Sequence, residues 1–273
     1  MIYIEKLTKQ YEGNTVLDHL DLTIERGEIH ALVGENGAGK STLIKLLSGL
    51  IRPEDGCFTL NGHTYREITP KKAIEEGIAV IQQEQNLLRE LSVSENIFLG
   101  DYQGNGFLTD RRKMDQKAAE ALKSLGVDLD PTTLVKRLGP AQVQMVAIAK
   151  ALRQQAKILI LDEPTAPLTA KESDVLFENL FRLKSQGVTI LYVSHRMEEI
   201  FRLADRITVL RDGKLVKTVR KEDISGEELI RLMVGRTLEN TFPERETPVG
   251  NVVLEADGVC GKRLQDVCFR LHE

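Results

Sequence analysis

The chain has 273 residues, 41% hydrophobic and 29% charged, a composition that suits one large globular domain or one domain and part of another. The net charge of −4 gives no general support for nucleic-acid binding, and no apolar run is long enough to span a bilayer. The N-terminus does not read as a signal peptide, so any membrane role is expected to run through a partner. Cys57, Cys260 and Cys268 are odd in number, lack metal-ligand spacing, and read as reduced thiols of a cytosolic chain.

In chain order, Ile2-Tyr3-Ile4 and the alternating Leu20-Asp21-Leu22-Thr23-Ile24 predict short strands. Tyr11, beside Glu12-Gly13 between them, is either an exposed ring able to stack on a purine or a packing residue. Arg26-Gly27 turns the chain into the apolar strand Ile29-His30-Ala31-Leu32-Val33. Gly34-Glu35-Asn36-Gly37-Ala38-Gly39-Lys40-Ser41-Thr42 follows and fits G-x-x-x-x-G-K-[ST], with Leu43-Ile44-Lys45-Leu46-Leu47 behind it as a helix. Strand, glycine loop and helix form the phosphate-binding context. The glycines let the backbone close around an anion with several N–H groups pointing inward. The helix from Lys40 adds its unpaired N–H groups and positive dipole end. Lys40 is placed to reach the β- and γ-phosphates of a nucleoside triphosphate, and the Ser41 hydroxyl to bind Mg²⁺.

Pro53-Glu54-Asp55-Gly56 leads into Cys57-Phe58-Thr59-Leu60, and Asn61-Gly62 behind it is a hairpin signal. A short helix over 71–76 precedes the apolar strand Gly77-Ile78-Ala79-Val80-Ile81. That strand delivers Gln82-Gln83-Glu84 to the end where open α/β sheets hold ligands. From about Leu91 to Leu152 the pattern is helical. Met114, Ala118, Ala121, Leu122 and Leu125 share a core-facing side ended by Gly126, and a second helix starts near Pro140. The region reads as a helical insertion between strands of the sheet.

Lys157-Ile158-Leu159-Ile160-Leu161 returns to the sheet and ends in Asp162-Glu163-Pro164. Beside a phosphate loop, Asp162 reads as holding Mg²⁺ through its water shell and Glu163 as orienting or deprotonating the attacking water. Alone, both would be solvated strand-end groups, with Glu163 capping the next turn. The buried strand Val188-Thr189-Ile190-Leu191-Tyr192-Val193 ends in Ser194-His195. His195 is either structural or joins Gln83, Asp162 and Glu163 on the ligand edge. Residues 207–216 predict a closing hairpin, 226–234 a helix, and 242–250, with its prolines and charges, a linker.

Residues 3 to about 236 resemble the ATPase subunit of ABC transporters. The phosphate loop, Gln83, the 138–142 segment, Asp162-Glu163, Thr169 after Pro167-Leu168, and His195 come in that family's order. Four stretches resemble more narrowly the ATPase of bacterial sugar importers of the ribose/galactose/xylose type. They are Gln83-Glu84-Gln85-Asn86-Leu87, Ser94-Glu95-Asn96-Ile97-Phe98-Leu99-Gly100, Ile148-Ala149-Lys150-Ala151-Leu152 and Met233-Val234-Gly235-Arg236. The resemblance implies an α/β fold over residues 1–237: a RecA-like phosphate-loop core, an N-terminal antiparallel β subdomain, and a helical subdomain inserted at about 90–154. It implies a subunit that hydrolyses ATP, with Mg²⁺, to energise sugar import. Integral-membrane permease subunits would be the direct partners, with a periplasmic or extracellular sugar-binding protein behind them and no nucleic acid. The location would be peripheral, on the cytoplasmic face of the cell membrane.

By the same resemblance, Tyr11 would stack on adenine and Gln83 would touch Mg²⁺ and the catalytic water. Glu163 would be the general base and His195 would contact the γ-phosphate. ATP would lie between two such domains packed head to tail, each completing the other's site with its signature loop. Where the family has Leu-Ser-Gly-Gly-Gln, this chain has Leu138-Gly139-Pro140-Ala141-Gln142. Gly139 lacks the serine hydroxyl and Pro140 lacks an N–H. Either the composite site loses two donors, or Ala141 and the helix dipole suffice.

Val253-Leu254-Glu255 and 264–271 echo Tyr3-Ile4-Glu5 and 17–24. Residues 252–273, after a linker over 238–251, are therefore expected to be the truncated start of a second ATPase domain, unless two short strands match by chance. Two other functions stay open: a nucleotide-binding module with little turnover, and an ABC ATPase without transport duty. The last would favour a basic face or a long coiled coil, and the sequence has neither.

Overall fold

A computed structural model of the chain describes residues 1–82, 87–100, 110–235, 250–261 and 264–272. Gln83 and most of the expected linker lie outside the described residues. Two strands open the chain, β1 (Ile2–Tyr11) and β2 (Asn14–Ile24), both longer than the alternation predicts. Irregular register, with Lys6 and His19 each at φ 48°, shifts the phase within the pair and hides its continuation.

The glycine loop runs from β3 (Ile29–Val33) into α1 (Lys40–Leu47). β4 (Asp55–Leu60) and β5 (His63–Tyr65) form the hairpin expected at Asn61-Gly62, and α2 (Pro70–Glu75) precedes β6 (Ile78–Ile81). The insertion contributes α3 (Val93–Ile97), α4 (Arg111–Ser124) and α5 (Pro140–Arg153). The sheet then resumes with β7 (Ile158–Asp162), α6 (Ala170–Ser185), β8 (Thr189–Val193), α7 (Met197–Leu203), β9 (Arg206–Arg211) and β10 (Lys214–Arg220), and α8 (Gly226–Val234) follows. The helices α6 and α7 are additions to the elements read from sequence.

Two sheets result. The main one has the order β10-β9-β3-β8-β7-β6, parallel throughout except for β10. The second is antiparallel, β2-β1-β4-β5. Leu43, Ile44 and Leu47 of α1 pack against Ile2, Ile4 and Leu20 of the antiparallel sheet and Leu32, Leu191 and Val193 of the parallel one. Val146 and Ile148 of α5 and Leu176 and Leu180 of α6 form another core with the insertion's Met114 and Leu122 and with Leu159, Leu161 and Ile190 of the sheet. Ile200 of α7 and Leu229 of α8 cover β9. These cores fix the glycine loop at the carboxyl end of a sheet that cannot shift without exposing them.

Residues 236–273 form a compact unit of their own. Its described part is the antiparallel hairpin of β11 (Val252–Gly261) and β12 (Leu264–His272). Among the described residues, no helix is long and apolar enough to cross a membrane.

α6 starts at a capping box. Thr169 Oγ1 accepts from the Glu172 N–H, and the Glu172 carboxylate accepts from the Thr169 N–H at 2.8 Å. Thr169→Ala should therefore cost about 1 kcal/mol, or about 3 °C in Tm for a unit of this size. Thermal melts decide it, and an unchanged Tm would mean that the cap contributes nothing.

Candidate functional site

Two of the loop's three glycines, Gly34 and Gly39, answer to close packing, whereas Gly37, at φ 87°, faces open space. A Cβ on Gly34 would lie 2.2 Å from the Leu210 carbonyl oxygen. Gly39, the helix N-cap at φ 103°, would place one 2.6 Å from Leu17 Cδ2. Ala38 is buried, whereas Glu35, Asn36, Gly37 and Ser41 are exposed and Thr42 is half-buried. Lys40 turns back over the loop. Its Nζ donates to the carbonyls of Gly34 at 2.7 Å and Glu35 at 2.9 Å. Burial pushes the Lys40 pKa below the usual lysine value, while the nearby Glu163 and Asp162 carboxylates pull it up.

Those carboxylates leave β7 beside β8, with Asp162 opposite Val193 in the parallel ladder. Burial and the adjacent Glu163 push the Asp162 carboxyl above its usual range, against the pull of Lys40. The Glu163 N–H donates to the Val193 carbonyl at 2.9 Å, and its backbone takes φ 46°, a left-handed conformation that costs a non-glycine residue. So arranged, Glu163 Oε1 meets His195 Nδ1 at 2.9 Å. A carboxylate only accepts, so Nδ1 carries the proton, and the ring is 63% exposed. His195 thus lies beside Glu163, just past the carboxyl end of β8.

Tyr11 is exposed at the end of β1, with Lys9 Nζ 5.2 Å from its ring centroid, which sets aside a core-packing role. Lys9 is a neighbour that sequence reasoning misses. It sits in a strand without a motif and is held by Glu54 at 2.8 Å. The β1–β2 hairpin reaches the loop through Leu17, which packs beside Gly39.

The structure therefore brings together the loop, Lys40, Asp162, Glu163 and His195. Among the described residues, no hydrogen bond or ion pair links Leu138–Gln142 to them. Gly139 is the N-cap of α5 and Pro140 its first residue, and Gln142 Oε1 accepts from the Gly139 N–H at 3.0 Å. Leu138 packs on the insertion's core, Ala141 is half-buried, and Gly139, Pro140 and Gln142 are exposed. Gln83 lies outside the described residues.

The Ser41 hydroxyl and Asp162 carboxylate are hard oxygen donors of the kind Mg²⁺ takes, and the adjacent Asp162 and Glu163 charges are what a cation would offset. Because the fold raises the Asp162 pKa, the group favours the folded state below 3.8 and loses that contribution as pH rises through its folded value. Asp162→Asn should therefore raise the Tm of the nucleotide-free chain near neutral pH, with the gain shrinking as pH falls through the raised folded value and gone below 3.8, while weakening Mg²⁺-dependent nucleotide binding. Melts across pH test it; a lower Tm for the variant at neutral pH would contradict it.

The family model for ABC transporters matches residues 17–166. The chain is 44% identical to the ribose import ATP-binding protein of Geobacillus kaustophilus, over 100% of this chain and 56% of that protein. It is 47% identical to the xylose import ATP-binding protein of Moorella thermoacetica, over 93% of this chain and 51% of that protein. It thus spans about half the length of the curated relatives it matches. Among solved structures, a nucleotide-free ATP-binding cassette from an ABC transporter gives a TM-score of 0.75 at 23% identity, covering 89% of this chain and 99% of that one. A dimeric cassette bound to ADP and Pi gives 0.71 at 25%, covering 81% and 99%. The family match runs over more than half of the chain, from β2 through the phosphate loop to the turn after Glu163, and on that ground the chain belongs to the ABC transporter ATPase family.

Proposed function

We propose that the chain is the N-terminal half of a subunit that binds and hydrolyses ATP to drive sugar import through a membrane permease. The contact of Glu163 with His195, beside Lys40 and the glycine loop, carries the catalytic part of this reading. The cargo class rests on the relatives, which are ribose, xylose and arabinose import ATP-binding proteins. Residues 1–237 are the cassette, with its helical subdomain at about 90–154, and 238–251 the linker. Residues 252–273 open a second cassette, a reading supported by the antiparallel β11–β12 pair and by relatives of about twice the length. The subunit would lie peripherally on the cytoplasmic face of the membrane, with a sugar-binding protein as indirect partner.

In this reading, the loop N–H groups of residues 34–42 cradle the phosphates, and Lys40 exchanges its own loop carbonyls for β- and γ-phosphate oxygens. Tyr11 stacks on adenine. Ser41 and Asp162, with Gln83 by the family resemblance, would hold Mg²⁺, which when bound would offset charge on the phosphates. Glu163 orients the attacking water and accepts its proton on the carboxylate. His195 faces the γ-phosphate through Nε2. With Nδ1–H committed to Glu163, Nε2 donates only from the imidazolium. A second cassette packed head to tail completes the nucleotide site.

A second reading, a nucleotide-binding module with little turnover, is favoured by the signature segment, where Pro140 has no N–H and the Gly139 N–H is taken by Gln142. ATP hydrolysis by residues 1–273 across a wide range of protein concentrations separates the two. Specific activity should rise with concentration and fall roughly 100-fold or more in Glu163→Gln, the scale of a lost general base. Flat, negligible turnover with tight Mg-ATP binding would select the binding module and withdraw hydrolysis for this chain.

A further inference from the structure

Glu163 and His195 hold their 2.9 Å contact across two turns that leave different strands. The Glu163 N–H bond to the Val193 carbonyl holds the backbones at the strand ends, but one hydrogen bond between a half-buried carboxylate and an exposed ring is a weak tie for the two side chains. A second carboxylate links the same turns from beneath. Glu199, at the third position of α7, is buried at 7% exposure. Its Oε1 accepts from Thr165 Oγ1 at 2.7 Å and from Arg196 Nη1 at 3.0 Å. Its Oε2 accepts from the Tyr192 hydroxyl at 2.8 Å and from Ser194 Oγ at 3.0 Å.

The placement of these donors is what matters. Thr165 follows Glu163 by two residues, and Ser194 and Arg196 flank His195. Ser194 Oγ also accepts from the Arg196 N–H at 3.1 Å, pinning the His195 turn on both sides. Thr165, Tyr192 and Ser194 are buried, so their hydroxyls need an acceptor inside the protein. Service to the start of α7 alone would use neither Thr165 nor Tyr192. Burial pushes the Glu199 carboxyl up, but its four hydrogen-bond donors, Thr165, Tyr192, Arg196 and Ser194, together outweigh it and hold the group below the usual glutamate range, so it stays an anion. An anion is also what the geometry asks for, because only a carboxylate offers two acceptor oxygens and no donor.

We propose that Glu199 is a positioning residue that sets the Glu163–His195 distance by clamping the Thr165 turn and the Ser194–Arg196 turn onto one buried carboxylate. Its consequence for turnover rests on the roles given above to Glu163 and His195, whereas the clamp does not. Glu199→Gln keeps the size of the side chain but turns one acceptor into a donor facing hydroxyls or the Arg196 guanidinium.

The test follows the His195 ring resonances by NMR in the whole chain, in the wild type, Glu163→Gln, Glu199→Gln, and the milder Thr165→Val and Ser194→Ala. In Glu199→Gln the ring signals should move towards the positions they take in Glu163→Gln, with the backbone amides of β3 unmoved. Turnover at saturating ATP should fall roughly 10- to 100-fold, the scale of a misplaced catalytic group, at unchanged KM. Ring signals at their wild-type positions in a folded Glu199→Gln would overturn the clamp. Should that variant fail to fold, wild-type signals in both Thr165→Val and Ser194→Ala would do the same. Displaced ring signals with wild-type turnover in both Glu163→Gln and Glu199→Gln would leave the clamp standing and remove Glu163 from catalysis.

Discussion

β3, β8 and β7 lie side by side and almost wholly buried, and that burial decides where charge can appear on them. Within such strands a polar side chain has to bring its own partners. His30 does so in β3, with Nδ1 on Glu28 at 2.8 Å and Nε2 on Thr208 at 2.7 Å. A group meant for a ligand has to wait until the ladder ends. Asp162 stands at the last position of β7, and Glu163 and His195 lie just past the ends of β7 and β8. The glycine loop leaves β3 at the same edge. Their proximity is a product of parallel pairing, because every strand meets solvent at the same end.

The charges gathered there balance one another only in part. Lys40 sits among groups that could each satisfy it, and in this structure it takes the carbonyls of Gly34 and Glu35. The Asp162 and Glu163 carboxylates stay close enough to repel and to draw on Lys40 at once. An anion in the loop and a cation beside Asp162 would relieve both strains together, which is why metal and phosphate belong to one event in the reading proposed above.

Much of this was legible because the signals are local. The loop, the apolar strands, the Asn61-Gly62 turn and α8 each show in a short window, and α8 runs over the expected Gly226–Val234. The continuation of β1 and β2 was not legible, because bulges at Lys6 and His19 break the alternation that marks a strand. α6 carries a readable Thr169-x-x-Glu172 cap and helical spacing of Leu176, Leu180 and Leu183, whereas α7, at seven residues, is too short to display a period. The left-handed backbone of Glu163 has no sequence signal, since glutamate has no preference for that region. The Glu199 clamp joins positions 34 residues apart, and only the fold brings Thr165 to it.

The signature segment shows folding and donor capacity coming apart. α5 loses nothing by starting with proline, whose fixed φ suits a first helical position, and Met145, Val146, Ile148 and Ala149 bury its inner face regardless. Of the three departures, Gly139 and Pro140 are exposed, where packing does not test them, and Ala141 is half-buried. What they remove is hydrogen-bond donors, each worth roughly 1.5–3 kcal/mol against a charged acceptor. Pro140 has none, and the Gly139 N–H is already spent on Gln142 Oε1. In the head-to-tail arrangement proposed above, a signature would serve the nucleotide of the opposite cassette. The deficit would then be exported: ATP held by Gly34–Thr42 would depend on a signature belonging to another domain, and this chain's loop would weaken only the site it completes. Two nucleotide sites of unequal strength within one assembly would follow from a proline that the fold itself does not notice.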